Sequence, residues 1–156
     1  MLEMSIPPRG VLELYYLVLD VNGTIALDGK LVTGVEDRLA RLRESLEIWL
    51  VSADTQGTLA VLASGLGTAV RRLQPGDEAA QKGGLVRELG ARRVIAIGNG
   101  ANDAAMLREA AFGIAVLGGE GLAVACLTAA DVVVPDIGSA LDLLLRPRRL
   151  LATLRT

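Results

Sequence analysis

The sequence of 156 residues predicts an α/β fold built on a doubly wound parallel sheet of about six strands. Short apolar runs alternate along the chain with longer segments of helical periodicity, the order expected of strand–helix–strand units. The strongest runs are continuously apolar, as in strands buried on both faces of a parallel sheet. Hydrophobic residues make up 51% of the chain and aromatic residues only 3%, which fits such a sheet covered by helices rich in Ala and Leu.

The predicted elements follow one another without a visible linker, so we expect one domain over residues 1–156. Residues 1–10 are expected to form a loose tail, and residues 14–19 the first strand. Two short apolar arms around Asp28 and Gly29 predict a β-hairpin flap. A helix follows at residues 35–45. The later strands are predicted at residues 48–51, 68–73, 94–97, 113–116 and 132–134. The second helix is predicted to end near residue 66, the third to span 75–89 and the fourth to end near residue 110. The fifth is predicted at residues 121–127, and the last is predicted to start at 135–136.

The residue types that are missing restrict the chemistry. The chain has no histidine, which excludes Ser-His-Asp and Cys-His catalysis and any zinc site built on histidine. Its single cysteine, Cys126, lies in an apolar run and is interpreted as a small buried hydrophobe. The net charge of −2 offers no general attraction for nucleic acid. No apolar run reaches the ~18 residues of a membrane span and the start lacks a signal-peptide pattern, so we expect a cytoplasmic protein without a membrane partner.

Polar residues follow three of the predicted strands. Asp20 ends the first strand, Ser52 ends the second, and residues 98–103 (GNGAND) follow the fourth. The carboxyl ends of parallel strands share the edge where open α/β sheets bind ligands, so these residues are expected to meet there. Lys82 lies near the start of a helix between the second and third of these segments. Asp54 is interpreted as the N-cap of the helix that follows the second strand.

Together these residues predict a phosphoryl-transfer site. Asp20 is the expected nucleophile, and Lys82 offsets the negative charge of the nucleophile and the phosphate. Ser52 and the backbone amides after Asp20 are expected to hold phosphate oxygens. Asp20 and Asp103 are expected to hold a Mg²⁺ ion, which binds few carboxylates and keeps several waters.

The same segments resemble the motifs of the haloacid dehalogenase-like (HAD) superfamily. Residues 98–107 (GNGANDAAML) are similar to the GDGxNDxxAL signature of P-type ATPase phosphorylation domains, and residues 20–24 (DVNGT) are similar to their DKTGT. The chain looks like the small, soluble P-type ATPase-like members. The resemblance implies a three-layer Rossmann-like sheet with the first strand between the second and the fourth. It also implies a Mg²⁺-dependent phosphatase that works through an aspartyl-phosphate at Asp20.

The resemblance assigns roles to residues at matching positions, and Asn22 is expected to bind the metal through its backbone carbonyl. The implied phosphate-binding residues are Asn22, Gly23, Ser52, Ala53 and Lys82. The implied metal ligands are Asp20, Asn22, Asn99 and Asp103. Thr24 is interpreted as a support for Asp20, and Asn102 either fixes the geometry of Asp20 and Lys82 or only opens its helix.

The spacing between the motifs leaves no room for a cap domain. Only a hairpin and a helix fit between Asp20 and Ser52, and a helix, a strand and a helix start fit between Ser52 and Lys82. The chain therefore resembles the capless members, which tend to use a partner subunit as a lid or to act on large substrates. We expect a phosphorylated substrate of unknown identity and a homodimer or homotetramer.

Two residues depart from the family pattern and leave a second hypothesis open. The second Asp of the first motif, the general acid and base, is Asn22, and the first Asp of the fourth motif is Asn99. An amide cannot transfer the proton that a phosphomonoester reaction needs, so the chain could instead be a weakened phosphate-binding or interaction module. A receiver domain is disfavoured because its acceptor Asp would follow the third strand, which here ends in LQP. A dinucleotide-binding turn is disfavoured because Asp103 stands at its third Gly.

Overall fold

The strands form one large sheet and two small hairpins. The computed structural model describes residues 1–7, 9–53 and 57–155. In chain order the strands there are β1 (Leu2–Ile6), β2 (Gly10–Leu14), β3 (Tyr16–Asp20), β4 (Ala26–Leu27), β5 (Lys30–Leu31), β6 (Glu47–Ser52), β7 (Ala69–Arg72), β8 (Val94–Gly98), β9 (Phe112–Val116) and β10 (Val132–Val134). The large sheet has six parallel strands in the order β10-β9-β8-β3-β6-β7.

Helices cover both faces of the large sheet. In chain order they are α1 (Val35–Leu42), α2 (Leu59–Leu66), α3 (Glu78–Glu88), α4 (Ala104–Glu109), α5 (Val124–Ala129), α6 (Ile137–Leu145) and α7 (Arg148–Leu154). Side chains of α1, α2 and α6 share one apolar core with Leu17 and Leu19, whereas those of α3, α4 and α5 share another with Val18. This is the predicted three-layer, doubly wound fold. Within the described ranges, no helix is long and apolar enough to cross a membrane.

The central strand β3 places the predicted site residues at one edge of the sheet. It pairs in parallel with β6, where Asp20 lies opposite Val51, and with β8, where Leu19 lies opposite Ile97. The predicted position of this strand, between the second and fourth strands of the sheet, is therefore confirmed. Because the three strands run in the same direction, Asp20, Ser52 and the loop after Gly98 emerge at the same carboxyl edge.

The N-terminal residues form a hairpin, so the prediction of a loose tail over residues 1–10 is wrong. Strand β1 pairs antiparallel with β2 and places Leu2 opposite Leu14. Met4 and Ile6 are buried in the apolar core that also includes side chains of α1 and α6, whereas Glu3 before them and Ser5 between them are exposed. This alternation of apolar and polar side chains is typical of a strand, but the run is short and two prolines follow it directly at 7–8, which favoured a loop in the sequence prediction. Leu14 consequently belongs to β2, and the central strand starts at Tyr16.

The predicted flap over the carboxyl edge is confirmed. Strands β4 and β5 pair around Asp28 and Gly29, whose φ angles are 51° and 75°. Positive φ at both central positions is the geometry of a type I′ turn, which twists in the sense that a hairpin needs. A Cβ added to Gly119 would lie 3.0 Å from Leu27 Cδ2, so the flap contacts the loop after β9.

Several helix boundaries differ from the sequence prediction. Helix α3 starts at Glu78 instead of residue 75, and helix α5 ends at Ala129 instead of residue 127. Helix α1 ends at Leu42 instead of residue 45. Helix α5 starts at Val124 instead of residue 121, because the Ala123 amide donates to the Asn99 carbonyl at 2.9 Å and holds the preceding loop against the site. The single C-terminal helix that was expected is divided into α6 and α7 at Pro147. Proline lacks the N–H of a helix interior and disfavours helical backbone at the residue before it.

Gly113 in β9 is a position where a side chain should not fit. An added Cβ would lie 2.6 Å from the Leu107 carbonyl oxygen, a backbone atom that cannot rotate away. We expect Gly113→Ala to lower the free energy of unfolding by about 1–3 kcal/mol.

The matched control is Gly84→Ala in the middle of α3, where the nearest atom is the flexible Arg87 guanidinium at 3.8 Å. That change should raise the free energy of unfolding by about 0.5–1 kcal/mol. Urea denaturation of both variants measures the difference, and an equal effect of the two would contradict the packing at Gly113.

Candidate active site

A small cavity opens at the carboxyl edge of the sheet, at the end of β3. Its volume is about 180 Å³. It is lined by residues from five segments of the chain: Asp20, Asn22, Ser52, Ala53, Glu78, Lys82, Asn99, Gly100, Asn102 and Glu120. Asp20 is only 7% exposed, so its carboxylate faces the cavity from an otherwise buried position. The structure thus brings together Asp20, Ser52, Lys82 and the segment after β8, as the sequence predicts.

Lys82 links two buried carboxylates. Its Nζ lies 2.7 Å from Asp20 Oδ1, 2.6 Å from Asp103 Oδ1 and 3.4 Å from Asn102 Oδ1. An ammonium group has three hydrogens, and these three acceptors use all of them. Lys82 is 1% exposed, so its ammonium group is almost fully shielded from water. The cluster of Asp20, Lys82 and Asp103 therefore carries a net charge of −1 when all three groups are ionised.

Burial and neighbouring charges shift the pKa values in this cluster. Burial alone would lower the pKa of Lys82, but the carboxylates of Asp20 and Asp103 outweigh it and raise that pKa above its usual value. Lys82 therefore stays protonated. Burial raises the pKa of Asp20 to about 6, and the Asp103 carboxylate adds to the rise while Lys82 opposes it. A second positive charge in the cavity would favour the ionised form of Asp20.

Both carboxylate oxygens of Asp103 accept hydrogen bonds from groups of the protein. One oxygen accepts from Lys82, and the other accepts from the backbone amides of Asn99 at 3.0 Å and Gly100 at 2.9 Å. A Cβ on Gly98 would lie 2.5 Å from this carboxylate, so the absence of a side chain at Gly98 allows the close approach. Asp103 is fully buried and lies behind the cavity wall, not on it. Its contacts hold the 98–103 loop and orient Lys82, and its predicted role as a metal ligand stays a prediction.

Thr24 and Asn99 support Asp20 from the side opposite Lys82. The Thr24 hydroxyl lies 2.9 Å from Asp20 Oδ2 and 3.1 Å from Asn99 Oδ1, and its single hydrogen can bond to one of them at a time. The Asn99 amide group donates to the Gly121 carbonyl at 3.2 Å. Both residues are buried, and Asn99 lines the same cavity as Asp20.

Asn22 and Gly23 form the turn that follows Asp20. The Asn22 side chain is exposed and points towards β6, where its Nδ2 lies 3.4 Å from Ser52 Oγ. The Gly23 amide donates to the Ala26 carbonyl at 2.8 Å. That hydrogen bond would have to be given up before Gly23 could hold a phosphate through its amide. The predicted roles of these residues in phosphate binding stay predictions, as does that of Ala53.

Two acidic residues of the cavity were missed in the sequence analysis. Glu78 lies four positions before Lys82 on α3, hence on the same helix face, and accepts from Asn102 Nδ2 at 2.6 Å. Asn102 thereby spans Glu78 and Lys82, which favours its role in fixing the geometry of the site. Glu120 lies in the glycine-rich loop after β9. Because β9 is the neighbour of β8 in the sheet, its carboxyl end lies at the same edge as the site, and this position could have identified Glu120. The predicted N-cap Asp54 lies outside the described residues.

Cys126 is buried behind the 98–103 loop, as the sequence predicts. Its thiol donates to the Gly100 carbonyl at 2.8 Å. Burial raises the pKa of this thiol to about 12, and the Asp103 carboxylate adds to the rise. The group is therefore a protonated thiol near neutral pH and not a nucleophile.

Replacing Lys82 by methionine should destabilise the metal-free protein strongly. The substitution leaves the carboxylates of Asp20 and Asp103 buried without their counter-ion, and breaking a buried pair in this way costs about 3–5 kcal/mol. The control is Arg87→Met, one turn further along α3, which removes an exposed ion pair with Glu109. That pair should contribute at most about 1 kcal/mol. Urea denaturation in the presence of a chelator tests both, and similar losses in the two variants would show that the Lys82 cluster does not support the fold.

The oxygen atoms around the cavity suit a hard divalent cation. Within residues 1–7, 9–53 and 57–155, no group of three or more His, Cys, Asp or Glu side chains is arranged to hold a metal. The cavity nevertheless combines the carboxylate of Asp20 with the side-chain amide of Asn99 and a second carboxylate at Glu120. Mg²⁺ binds through one or two carboxylates and completes its shell with water and substrate oxygens. These donors therefore fit Mg²⁺ better than a metal that needs an all-protein cage.

Two archaeal proteins are similar to this chain in sequence. The uncharacterized protein MJ0073 of Methanocaldococcus jannaschii is 48% identical over 71 residues, which are 46% of this chain and 76% of that protein. The chain belongs to the same family as MJ0073. The uncharacterized protein MJ0072 of the same organism is 56% identical over 39 residues, which are 25% of this chain and 89% of that protein. No family model matches the chain.

Solved structures identify the fold. The cobalt-bound deoxy-D-mannose-octulosonate 8-phosphate phosphatase of Haemophilus influenzae has a TM-score of 0.73 at 14% identity, over 92% of this chain and 94% of that chain. The 3-deoxy-D-manno-octulosonate 8-phosphate phosphatase of Moraxella catarrhalis, in complex with a magnesium ion, a phosphate ion and a KDO molecule, has a TM-score of 0.67 at 19% identity, over 90% of this chain and 91% of that chain. A Streptomyces avermitilis protein described as a HAD family hydrolase has a TM-score of 0.66 at 24% identity, over 86% and 84%. The chain therefore has the HAD-like fold, which confirms the resemblance seen in its motifs.

Proposed function

We propose that the protein is a Mg²⁺-dependent phosphatase-like hydrolase that works through an aspartyl-phosphate at Asp20. The observation that supports this most strongly is the buried Asp20 carboxylate at the end of the central strand, bound by Lys82 and Thr24 at the wall of a cavity. Structures of the same fold include phosphatases, which supports the reaction class. Their sugar phosphate substrates are not carried over, because the identity is too low to support it.

The reaction has two displacement steps at phosphorus. In the first, a carboxylate oxygen of Asp20 attacks the phosphorus, and the bond between phosphorus and the leaving-group oxygen breaks. In the second, a water oxygen attacks the same phosphorus, the bond to Asp20 breaks, and the carboxylate returns with release of inorganic phosphate and a proton. Lys82 holds the attacking carboxylate in place and stabilises the negative charge of the transferring group. Ser52 and the backbone at Ala53 line the cavity wall where phosphate oxygens would lie.

Mg²⁺ is the cofactor that we propose for this site. Asp20, the Asn99 amide oxygen and the backbone carbonyl of Asn22 are the proposed ligands from the family motifs. The ion would neutralise negative charge on the carboxylate and the phosphoryl group, which otherwise repel each other. Asp103 would have to exchange its present contacts to reach the ion, so we propose that it acts by orienting Lys82 and the 98–103 loop.

Asn22 and Asn99 favour one rival function, a phosphate-binding module without turnover. Asn22 lies at the mouth of the cavity, where an aspartate could exchange protons with the leaving group and with water, and an amide cannot. Steady-state hydrolysis of 4-nitrophenyl phosphate, with Mg²⁺ and with a chelator, separates the two functions. A phosphatase gives Mg²⁺-dependent turnover above the rate without protein. Phosphate or Mg²⁺ binding without any turnover would support the module instead.

The protein is also proposed to associate with itself, because the site carries no cap within the described residues. Exposed apolar side chains at Val124, Leu127 and Val133 lie on α5 and the edge strand β10. Burying such side chains between copies would favour a dimer or tetramer. Light scattering at micromolar concentration should give a mass of at least two chains, and the mass of one chain would contradict the proposal. The single domain and the cytoplasmic location stay predictions.

A further inference from the structure

Glu120 places a second carboxylate beside Asn99 in the cavity. A Cβ built on Gly23 would lie 2.3 Å from Glu120 Oε2 and 2.9 Å from Asn99 Nδ2, so these two side chains share the space in front of Gly23. Glu120 lines the same cavity as Asp20 and Lys82. Its side chain makes no hydrogen bond or ion pair with the described residues, so its oxygens are available to a ligand.

The loop that carries Glu120 is attached to the protein at both ends. On the strand side, the amides of Leu117 and Gly118 donate to the carbonyls of Val134 and Pro135 at 2.9 and 3.0 Å. On the other side, the Asn99 side chain donates to the Gly121 carbonyl at 3.2 Å. The position of Glu120 over Gly23 is therefore set by contacts on both sides of it, and one of them comes from Asn99 itself.

The sheet order separates Glu120 from the acid–base position. Asn22 directs its side chain towards Ser52 on β6, on one side of β3. Glu120 follows β9 and approaches from the other side, across Asn99 at the end of β8. A carboxylate on the Asn99 side can replace the missing charge at position 99, but it does not stand where a proton donor at position 22 would. Gly23, with a φ of 79° and no side chain, leaves the space that the carboxylate occupies.

We propose that Glu120 supplies the metal-binding carboxylate that Asn99 lacks and binds Mg²⁺ together with Asp20. This inference rests on the metal site of the proposed function but makes its own claim about which side chain holds the ion. The loop after β9 thus supplies the carboxylate ligand that the motif after β8 would otherwise supply. The site keeps two carboxylates for the metal, a number that suits Mg²⁺.

Mg²⁺ titration by calorimetry, with the intact chain and without substrate, tests this assignment. Glu120→Gln keeps the shape of the side chain and removes its charge, and it should raise the Kd for Mg²⁺ at least ~10-fold. Glu44→Gln makes the same change on an exposed residue ahead of β6, at the opposite edge of the sheet, and should leave the Kd within about 2-fold of the wild type. Circular dichroism and a melting curve verify that both variants fold.

A second substitution distinguishes a ligand from a distant charge. Asn99→Asp should recover at least ~10-fold in affinity in the Glu120→Gln background, because it returns a carboxylate to the same side of the cavity. It should gain much less in the wild type, where Glu120 already supplies that charge. Equal gains in the two backgrounds would overturn the proposal, and so would a Glu120→Gln variant that binds Mg²⁺ as the wild type does.

The outcome is separable from that of the proposed function. Unchanged Mg²⁺ affinity in Glu120→Gln, together with Mg²⁺-dependent hydrolysis by the wild type, rejects the role of Glu120 and keeps the phosphatase. Weakened Mg²⁺ binding in Glu120→Gln, together with no hydrolysis by the wild type, keeps the role of Glu120 and rejects the phosphatase. A wild-type protein that binds no Mg²⁺ would overturn the assignment of Glu120.

Discussion

Asp20→Asn should lower kcat for 4-nitrophenyl phosphate by roughly 10⁴-fold or more, the scale seen when a covalent nucleophile is removed from an enzyme. Asparagine keeps nearly the same shape and can still contact Thr24, but its amide is a poor nucleophile for phosphorus. The change also removes one of the two negative charges that pair with Lys82. The loss should therefore fall on kcat, and no increase in substrate concentration should restore it.

The matched control for this prediction is Asp28→Asn. Asp28 lies at the tip of the flap with a φ of 51°, a conformation that asparagine adopts at least as readily as aspartate. The variant makes the same chemical change on the same edge of the molecule, and its kcat should stay close to that of the wild type. An Asp20→Asn protein that folds and retains more than about a tenth of the wild-type kcat would remove Asp20 from the nucleophile's role.

Asn22→Asp should raise kcat for an alkyl phosphate by at least ~10-fold, the conservative end of what general acid–base catalysis contributes. An alkoxide is a poor leaving group and needs a proton, which an aspartate at the mouth of the cavity could donate. The same group could then take a proton from the water that attacks the aspartyl-phosphate. Asn22 is exposed, and among the described residues its side chain hydrogen-bonds to Ser52, so the substitution should be accepted without a change in the fold.

Comparison of two substrates provides the internal control for Asn22→Asp. Nitrophenolate departs without a proton, so hydrolysis of 4-nitrophenyl phosphate should gain less from the new carboxylate unless breakdown of the aspartyl-phosphate limits the rate. The Kd for Mg²⁺ should change little, because the proposed ligand at this position is the backbone carbonyl. If both rates are unchanged, residue 22 is not at the acid–base position, or the chain is a phosphate-binding module.

The centre of the fold could be predicted because its signals are local. The apolar run before Asp20, the similar runs before Ser52 and Gly98, and the helical segments between them were enough to specify a parallel sheet with these residues at one edge. The ion pairs of Lys82 follow from the same alternation of strands and helices, because α3 begins near that edge of the sheet and carries Lys82 in its first turns.

The remaining features depend on contacts between distant parts of the chain. Met4 and Ile6 are buried because the first hairpin folds onto the core, and a short run next to two prolines gave too little pattern to show it. Glu120 meets Gly23 only after β9 takes its place in the sheet, so the sequence showed a glycine-rich loop without a partner. The sequence located Asp103 in the site but could not show that both of its oxygens are used by Lys82 and two backbone amides.

The formation of an aspartyl-phosphate at Asp20 is tested most directly by beryllofluoride, which mimics a phosphoryl group on a carboxylate. Calorimetric titration with beryllofluoride and Mg²⁺ should show binding to the wild type and to Asp28→Asn, and none to Asp20→Asn. Binding should also require Mg²⁺, because the ion neutralises the charge between the carboxylate and the fluorides. Equal binding by the wild type and Asp20→Asn would contradict the account, since the acceptor of the phosphoryl group would then lie elsewhere.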